Sequence, residues 1–569
     1  MQRGTPFVFH ATAYAARPIL RKGDGYIDPM VTPNAAGASV RIASGTLLSR
    51  MLGLGRSMLL VAAIGSTGIA ADAFGTASQV TNVIYTLVAT GVLSSVLVPQ
   101  LTRASLRADG GAEYVNKLIT LTLTGSVALC ALIAGLLPTL MRWLGSQWSA
   151  PGQLGLATGF AFWLLPQIIF FALYTVLGEV LNSRSRFGPY AWTPVLNNVV
   201  SIGGLVVFLW LMGVDPNGQR TVANWPAGGT ALLAGAATLG VALQAITLFA
   251  FLRGAGVTFR PDFNFRGTGL GVTARLGGWT FLGVLVSQIV ALLLNQAMNR
   301  AAGNEAGIAA WQLASLVTVL PHSIIVISLV TSRFTRMSVA AERGDTRPFK
   351  RDFVTLSRLT VVAITFCAVV IAVLAGPITR VLMSGARVES LYPVMIVVAC
   401  HATGAVAFSL LFVFNRAFFA YSNTKSPFLI QLVIAIGSLA TIATSFMLPS
   451  GTATAFITLG TNLLFWIQLV ITFLVLRRRL GEIGGRSIAR ALVQCMAGGL
   501  LALGAGIALL QAFGGITFGS FALSGVLPAL VSAIAIVSLM GIVYAGALFA
   551  LKNQEMRGAW ACMRRRLGR

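Results

Sequence analysis

Apolar runs long enough to cross a bilayer recur along almost the whole chain. They lie at 40–64, 77–101, 118–141, 156–181, 189–213, 228–252, 276–299, 308–332, 353–382, 391–415, 427–449, 452–476, 489–513 and 522–551. A spanning helix needs about 20 mostly apolar residues, so each run predicts one. Of the 569 residues, 56% are hydrophobic and 10% charged, whereas soluble domains carry about a quarter charged residues. Lipid offers no partner to a backbone N–H or C=O, which restricts spanning structure to helices and closed barrels. Barrel strands alternate every second residue, and these runs are unbroken. The expected fold class is an all-α polytopic membrane protein with about 14 transmembrane helices.

The net charge of +26, from 41 Lys and Arg against 15 Asp and Glu, would suit a nucleic-acid partner. Position argues otherwise, because the cations sit between the apolar runs, where they set topology. With the N-terminus inside and the runs alternating, inside segments hold 34 of the 41 cations. Outside segments hold only Arg142, Arg220, Arg300, Arg380 and Arg387. A miscounted helix would invert the bias downstream of the error, so the pattern predicts fourteen spans with both termini cytoplasmic. Residues 1–38 are polar and lack the apolar core of a signal peptide; they read as a disordered cytoplasmic tail, and 552–569 as a basic one. There is no P-loop, which argues against an ATP-driven pump, and no extramembrane segment long enough for a catalytic domain. Five scattered cysteines without a CxxC pair and three histidines without ligand spacing predict packing roles, no metal and no cofactor.

Two arginines remain, Arg50 and Arg56 in "SRMLGLGRSMLL" (49–60), inside the first run and with no acid in that stretch. A charge at the bilayer centre costs about 2.5–3.5 kcal/mol on insertion scales. Arg50 is close enough to the inner interface to snorkel. Arg56 is deeper and points to a wet cavity or a bound anion. Amides recur too: Gln79 and Asn82 in the second run, Asn197 and Asn198 in the fifth, Gln288, Asn295 and Asn299 in the seventh, with His322 in the eighth. Hydrogen bonds between helices are the ordinary role of such groups. Acids are scarce: Asp72 falls at the first outer junction and Glu179 near the inner end of the fourth run. Neither is central, as the carboxylate of a cation antiporter usually is. Gly45, Ser49, Gly53 and Ser57 form a stripe of small residues, suited to tight helix packing or to leaving space for a cavity. Pro99, Pro138, Pro166, Pro194, Pro321 and Pro377 predict bends.

The stretch "SRMLGLGRSMLL…ADAF…TNVIYTLVATGVLSSVLVPQLTRA" (49–104) resembles the start of the MurJ/MviN family, the proposed lipid II flippases of peptidoglycan synthesis. The matching positions are Ser49, Arg50, Leu52, Gly53 and Arg56, then Asp72, Ala73 and Phe74, then Asn82, Gly91, Ser95, Val98 and Pro99. Segments 181–198, 320–338 and 423–432 are similar as well. The resemblance implies two six-helix bundles around a central cationic cavity, here residues 39–252 and 253–480, with helices thirteen and fourteen in 481–551 lining a lipid groove. The cavity would take a diphosphate-sugar-peptide headgroup, with Arg50 and Arg56 in contact and Asp72 and Asn82 in support. Gln79 and Asn295 complete the candidate substrate-binding set. The chain departs from the family where charges are usual: Gln79, Tyr85, Thr86, Thr90, Ser315 and Leu316 replace them.

The expectation is a transporter rather than an enzyme. It would move the undecaprenyl-diphosphate-linked peptidoglycan precursor from inner to outer leaflet of a bacterial plasma membrane by alternating access. Lipid II, the bilayer and proteins of cell-wall synthesis and division are the expected partners; nucleic acid is not. Rival readings are a flippase for another polyprenyl-linked glycan, a multidrug cation antiporter, and a non-transporting scaffold of cell-wall assembly.

Overall fold

The computed structural model describes residues 33–88, 101, 109, 111–184, 186–265, 270–301, 305–517, 519–558 and 560, with side chains from Ser44 on except at 187 and 270–277. Its helices are α1 (Pro33–Ile64), α2 (Ile69–Thr86), α3 (Ala112–Leu144), α4 (Gln153–Leu164), α5 (Gln167–Ser183), α6 (Phe187–Met212), α7 (Gly229–Gly254) and α8 (Leu270–Met298). Then follow α9 (Ile308–Pro321), a π-turn (His322–Val326), α10 (Ile327–Glu342), α11 (Thr346–Val373), α12 (Ala375–Leu382), α13 (Val388–Ala402) and α14 (Ala405–Ala420). The last are α15 (Lys425–Ser445), α16 (Ser450–Leu480), α17 (Gly485–Ala512) and α18 (Val526–Ala550).

Among the described residues, twelve helices are long and apolar enough to span a bilayer, or thirteen with the bent pair α13–α14 taken as one. The protein is an all-α, multi-pass membrane protein. The expected second run, 77–101, starts earlier, at Ile69, and its part at 89–100 lies outside the described residues. Residues 1–32 also lie outside them, but α1 begins at Pro33, inside the segment expected to be tail. At the end of the chain Asn553 is buried and Glu555 pairs with Arg358 at 2.8 Å, so 552–569, expected as a basic tail, begins as a docked turn.

Several runs are broken where one helix was expected. Pro166 separates α4 from α5, and Pro321 precedes the π-turn; each proline lacks the N–H that continues a helix. The run 353–382 ends at Val373 and resumes as the short α12. The run 391–415 bends by 41° between α13 and α14, with no proline at the break.

Helices α1–α7 pack chiefly on one another, through the pairs α1–α6, α6–α7, α2–α4 and α5–α7; α8–α16 do likewise, through α8–α15, α15–α16, α11–α14 and α9–α13. The final pair, α17 and α18, lies on α11 and α12. Their buried Cys495, Ala502, Ile536 and Met540 join the same apolar cluster as Phe353, Leu356 and Phe414. Outward-facing side chains such as Trp210, Ile542 and Leu527 are apolar and largely uncovered, as lipid contact requires.

The two halves meet at the end of the molecule where α1 passes into α2. There the α6–α7 loop tucks under the α1–α2 turn: Asp215 N–H donates to Ala62 O at 2.8 Å, and Gly218 sits against the Thr67 carbonyl. Gly218 has φ +64°, and a Cβ would collide with that oxygen, so only glycine fits. From this loop Asn217 Oδ1 accepts the Arg387 N–H of the second half at 2.7 Å. Cations at this end serve helix ends. Arg220 donates to Ala63 O (2.8 Å) and Met212 O (2.6 Å), Arg300 to Ser445 O (2.6 Å) and Leu448 O (3.1 Å), and Arg380 to Ala386 O (2.6 Å). Terminal carbonyls have no partner within their helix, and a cation satisfies them with favourable dipole geometry.

Candidate substrate cavity

Three members of the small-residue stripe of α1, Gly45, Ser49 and Gly53, form a packing face. A Cβ on Gly45 would stand 3.0 Å from Ala191 O, and Asn198 Nδ2 of α6 donates to Ser49 O at 2.8 Å and to Ser49 Oγ at 3.1 Å. Asn197 similarly ties α6 to α7 through Gln244 at 2.9 Å. With that face fixed on α6, the rest of α1 is turned toward the second half. Ser57, Val61 and Ile64 form one wall of a cavity of about 280 Å³. Phe74, Gln79 and Asn82 of α2 form a second wall, and Ala309, Gln312 and Leu316 of α9 the third. The polar groups there are neutral hydroxyls and amides.

Arg50 lies two turns before Ser57 on the same face of α1. It is half-buried, and its guanidinium donates to Ser323 Oγ in the π-turn, so it links the two halves. Ser323 is itself oriented by donating to Leu320 O at 2.8 Å, and neighbouring His322 is held by Ser409 at 3.0 Å. Arg56 is half-buried one residue before Ser57. Among the described residues it has neither a carboxylate nor a hydrogen-bond partner.

The other candidates divide. Gln79 and Asn82 line the cavity. Asp72 and Asn295 lie in the contact between the halves, at the end the cavity points to. Asp72, 4% exposed, accepts the Ala309 N–H at 3.1 Å and thereby caps α9 from the other half. A Cβ on Gly307, which precedes α9, would stand 2.5 Å from both carboxylate oxygens. Asn295 of α8 and Asn299 just past its end accept from Thr76 of α2 at 3.3 and 3.0 Å, and Asn299 Nδ2 donates to Leu144 O of α3 at 3.0 Å. Gln312 crosses as well, donating to Gly75 O at 3.0 Å. Sequence reasoning missed Gln312, Gly307 and Ser323. Gln312 carried a usable signal, an amide inside an apolar run; a serine and a glycine carry none. Gly91, Ser95, Val98 and Pro99 lie outside the described residues.

Helical halves closed over a polar cavity at one end define a polytopic membrane transporter. A solved lipid II flippase MurJ in an inward closed conformation matches with TM-score 0.67 at 17% identity, covering 90% of this chain and 100% of that one. An inward-facing multidrug resistance MATE family transporter of the MOP superfamily matches with TM-score 0.58 at 17% identity, over 78% and 98%. These likenesses establish the fold. The family model described as lipid II flippase MurJ matches residues 60–548, and the chain belongs to that family. A probable lipid II flippase MurJ of Rhizobium tropici is 25% identical over 475 residues, 79% of this chain and 82% of its own. One from Rhizobium meliloti (strain 1021) is 25% identical over 450 residues, 76% and 79%. Arg50 and Arg56 precede the matched range.

Proposed function

We propose that this protein flips lipid II, passing the diphosphate-sugar-peptide headgroup through the cavity between the halves while the polyprenyl tail stays in lipid. Family membership over residues 60–548 is the observation that carries the reading. The contacts of Asp72, Thr76 and Gln312 join the halves at the α1–α2 end, which the cation distribution assigns to the outside. The protein is then in a state closed outward, with the cavity below that closure. Parting those contacts and closing the opposite end exposes the cavity outward.

Arginine suits a diphosphate because its planar fork bonds two phosphate oxygens and stays charged. Arg50 is engaged by a neutral hydroxyl, Ser323. A diphosphate brings a full opposite charge and can take two parallel bonds from the fork, against the single bond to a neutral hydroxyl, so an arriving diphosphate displaces Ser323 and releases the strap between the halves. Arg56 has no partner among the described residues, but it follows Ser49 by two turns, on the side of α1 that faces α6, and is not among the residues lining the cavity. Gln79, Asn82 and Gln312 offer hydrogen bonds to the sugar and peptide. The charges expected in this family at Thr86 and Leu316 are absent, which leaves α1 as the anion-binding element.

The test is complementation of a conditional lipid II flippase depletion, combined with accessibility of lipid II on the outer leaflet. Growth with restored surface lipid II supports the proposal. Normal expression and insertion without either result sinks it and leaves a flippase for another polyprenyl-linked glycan.

A further inference from the structure

A second polar cavity is far from the α1–α2 end. It has a volume of about 540 Å³ and lies where the first half of α11, the start of α17 and the end of α18 converge. Four cations line it: Arg358, Arg486, Arg490 and Lys552. One acid, Glu555, approaches and is paired with Arg358 at 2.8 Å. Among the described residues Arg486, Arg490 and the Lys552 ammonium have no acidic partner. We infer that this cavity binds the phosphate of an anionic membrane phospholipid.

Three features show that the cavity is built rather than a chance cluster. Its floor is hydrogen-bonded: Asn553, 2% exposed, donates to Gln494 Oε1 at 3.0 Å, and Gln494 Nε2 donates to Leu551 O at 2.7 Å. Arg358 is held in place by Ser487 Oγ at 3.3 Å as well as by Glu555. Lys552 has φ +58°, a left-handed conformation that glycine usually takes after a helix; the Asn553 N–H closes the turn on Leu548 O at 2.9 Å. A lysine retained there bears strain and brings its charge to the cavity. The N-terminus of α17 has no side-chain cap, and its Arg486 and Ser487 line the same space.

The face of α17 identifies the ligand as a lipid rather than a free anion. Arg486 and Arg490 are exposed, and the exposed positions that continue this face are Val493, Ala497 and Leu500. Charge at the helix end followed by an apolar ridge is the profile of a phospholipid, with headgroup at the cations and acyl chain along the helix. Leu551, Phe549 and Trp560 are exposed beside it, and the last two are 6.3 Å apart ring to ring; aromatic side chains favour the headgroup level. Basic pockets between spanning helices on the side rich in Lys and Arg are suited to anionic headgroups. The site uses none of the groups assigned to the flippase cavity.

The experiment measures thermal unfolding of the purified full chain in neutral detergent, titrated with phosphatidylglycerol, phosphatidylcholine or inorganic phosphate. Phosphatidylglycerol should stabilise saturably, and the other two should not at equal concentration. The double variant Arg486→Gln/Arg490→Gln should weaken apparent affinity by roughly twenty-five-fold, taking about fivefold per cation. Lys552→Gly guards against a folding artefact, because glycine relieves the left-handed strain. It should unfold no earlier than the native chain without lipid, yet bind phosphatidylglycerol about fivefold more weakly. Equal stabilisation by phosphatidylcholine would remove the charge argument, and stabilisation by phosphate alone would make this a free-anion site. Unchanged phosphatidylglycerol affinity in both variants would overturn the site itself.

Discussion

Asp72 is the sharpest place to test how the halves separate. Its carboxylate belongs to α2 but caps α9, so the interaction exists only while the halves touch. Removing a cap of this kind costs about 0.5–2 kcal/mol, and a cap buried as deeply as this one lies toward the upper part of that range. Because the contact is absent once the halves part, the loss falls on the equilibrium between closed and open states. Asp72→Ala should raise the outward-open population by about five- to thirtyfold, at 1.4 kcal/mol per factor of ten. Gly307→Ala approaches from the other half, since its Cβ would stand 2.5 Å from both carboxylate oxygens and push the carboxylate off the helix end. Asp72→Asn keeps an oxygen for the Ala309 N–H but loses the charge, so its effect should be smaller. The assay is the rate at which an impermeant maleimide, added outside cells, modifies a single cysteine at Ser57 on the cavity wall, in a background without native cysteines. A control cysteine replaces Met141, fully buried within the first half. Unchanged modification at Ser57 in Asp72→Ala, or equal acceleration at Met141, would refute the latch.

Arg56→Ala should abolish complementation while the protein still inserts, and Arg56→Lys should restore part, because a point charge lacks the fork; normal growth with Arg56→Ala would remove it from the anion site. Topology can be read with cysteines at Ala223 and Ser450, expected to label from outside, against Gly344 and Glu482, expected not to; Gly218 and Gly484 are unsuitable because a side chain there meets the Thr67 carbonyl or Val354. Membrane potential should drive the cycle, since an anion leaving a negative interior gains about 2.3 kcal/mol per charge per 100 mV. Valinomycin with potassium should stop flipping and nigericin should not; the opposite pattern would return attention to Asp72 and Glu179 as proton carriers.

The spans were legible because lipid leaves a chain few options: each run had to be helical, and nearly every run is. What was not legible is where tertiary contacts pay for a break. The bend between α13 and α14 has no proline; Asn462 of α16 supplies the missing bonds, donating to Cys400 O at 2.7 Å and to Thr403 Oγ at 3.0 Å. Gly404 permits this, since a Cβ there would overlap Asn462. Nothing near residue 403 announces a partner almost sixty residues away. The site shows the same division. Arg50 and Arg56 stood out because charge in an apolar run is costly. The partners of Asp72 and Arg50, a backbone N–H and a serine, have no signature in sequence. Asn295 read as a ligand candidate and lies instead between helices with Asn299 and Thr76, the common fate of a membrane amide.

Charges that survive in expensive positions reveal what offsets them. Arg220, Arg300 and Arg380, on the side where cations are scarce, each donate to carbonyls at helix ends or turns. Arg416 in α14 lies over the rings of Phe334 and Phe412, at 5.3 and 4.9 Å from their centroids, a geometry that compensates a cation without a carboxylate. Arg50 has Ser323. Arg56 differs: half-buried in the same helix, it has no carboxylate, carbonyl or ring partner among the described residues. A cation kept in that state inside a spanning helix bears a cost that no group among the described residues offsets. On the proposed reading a substrate diphosphate offsets it during each cycle, so Arg56, more than its neighbour, is the residue whose charge that reading has to explain.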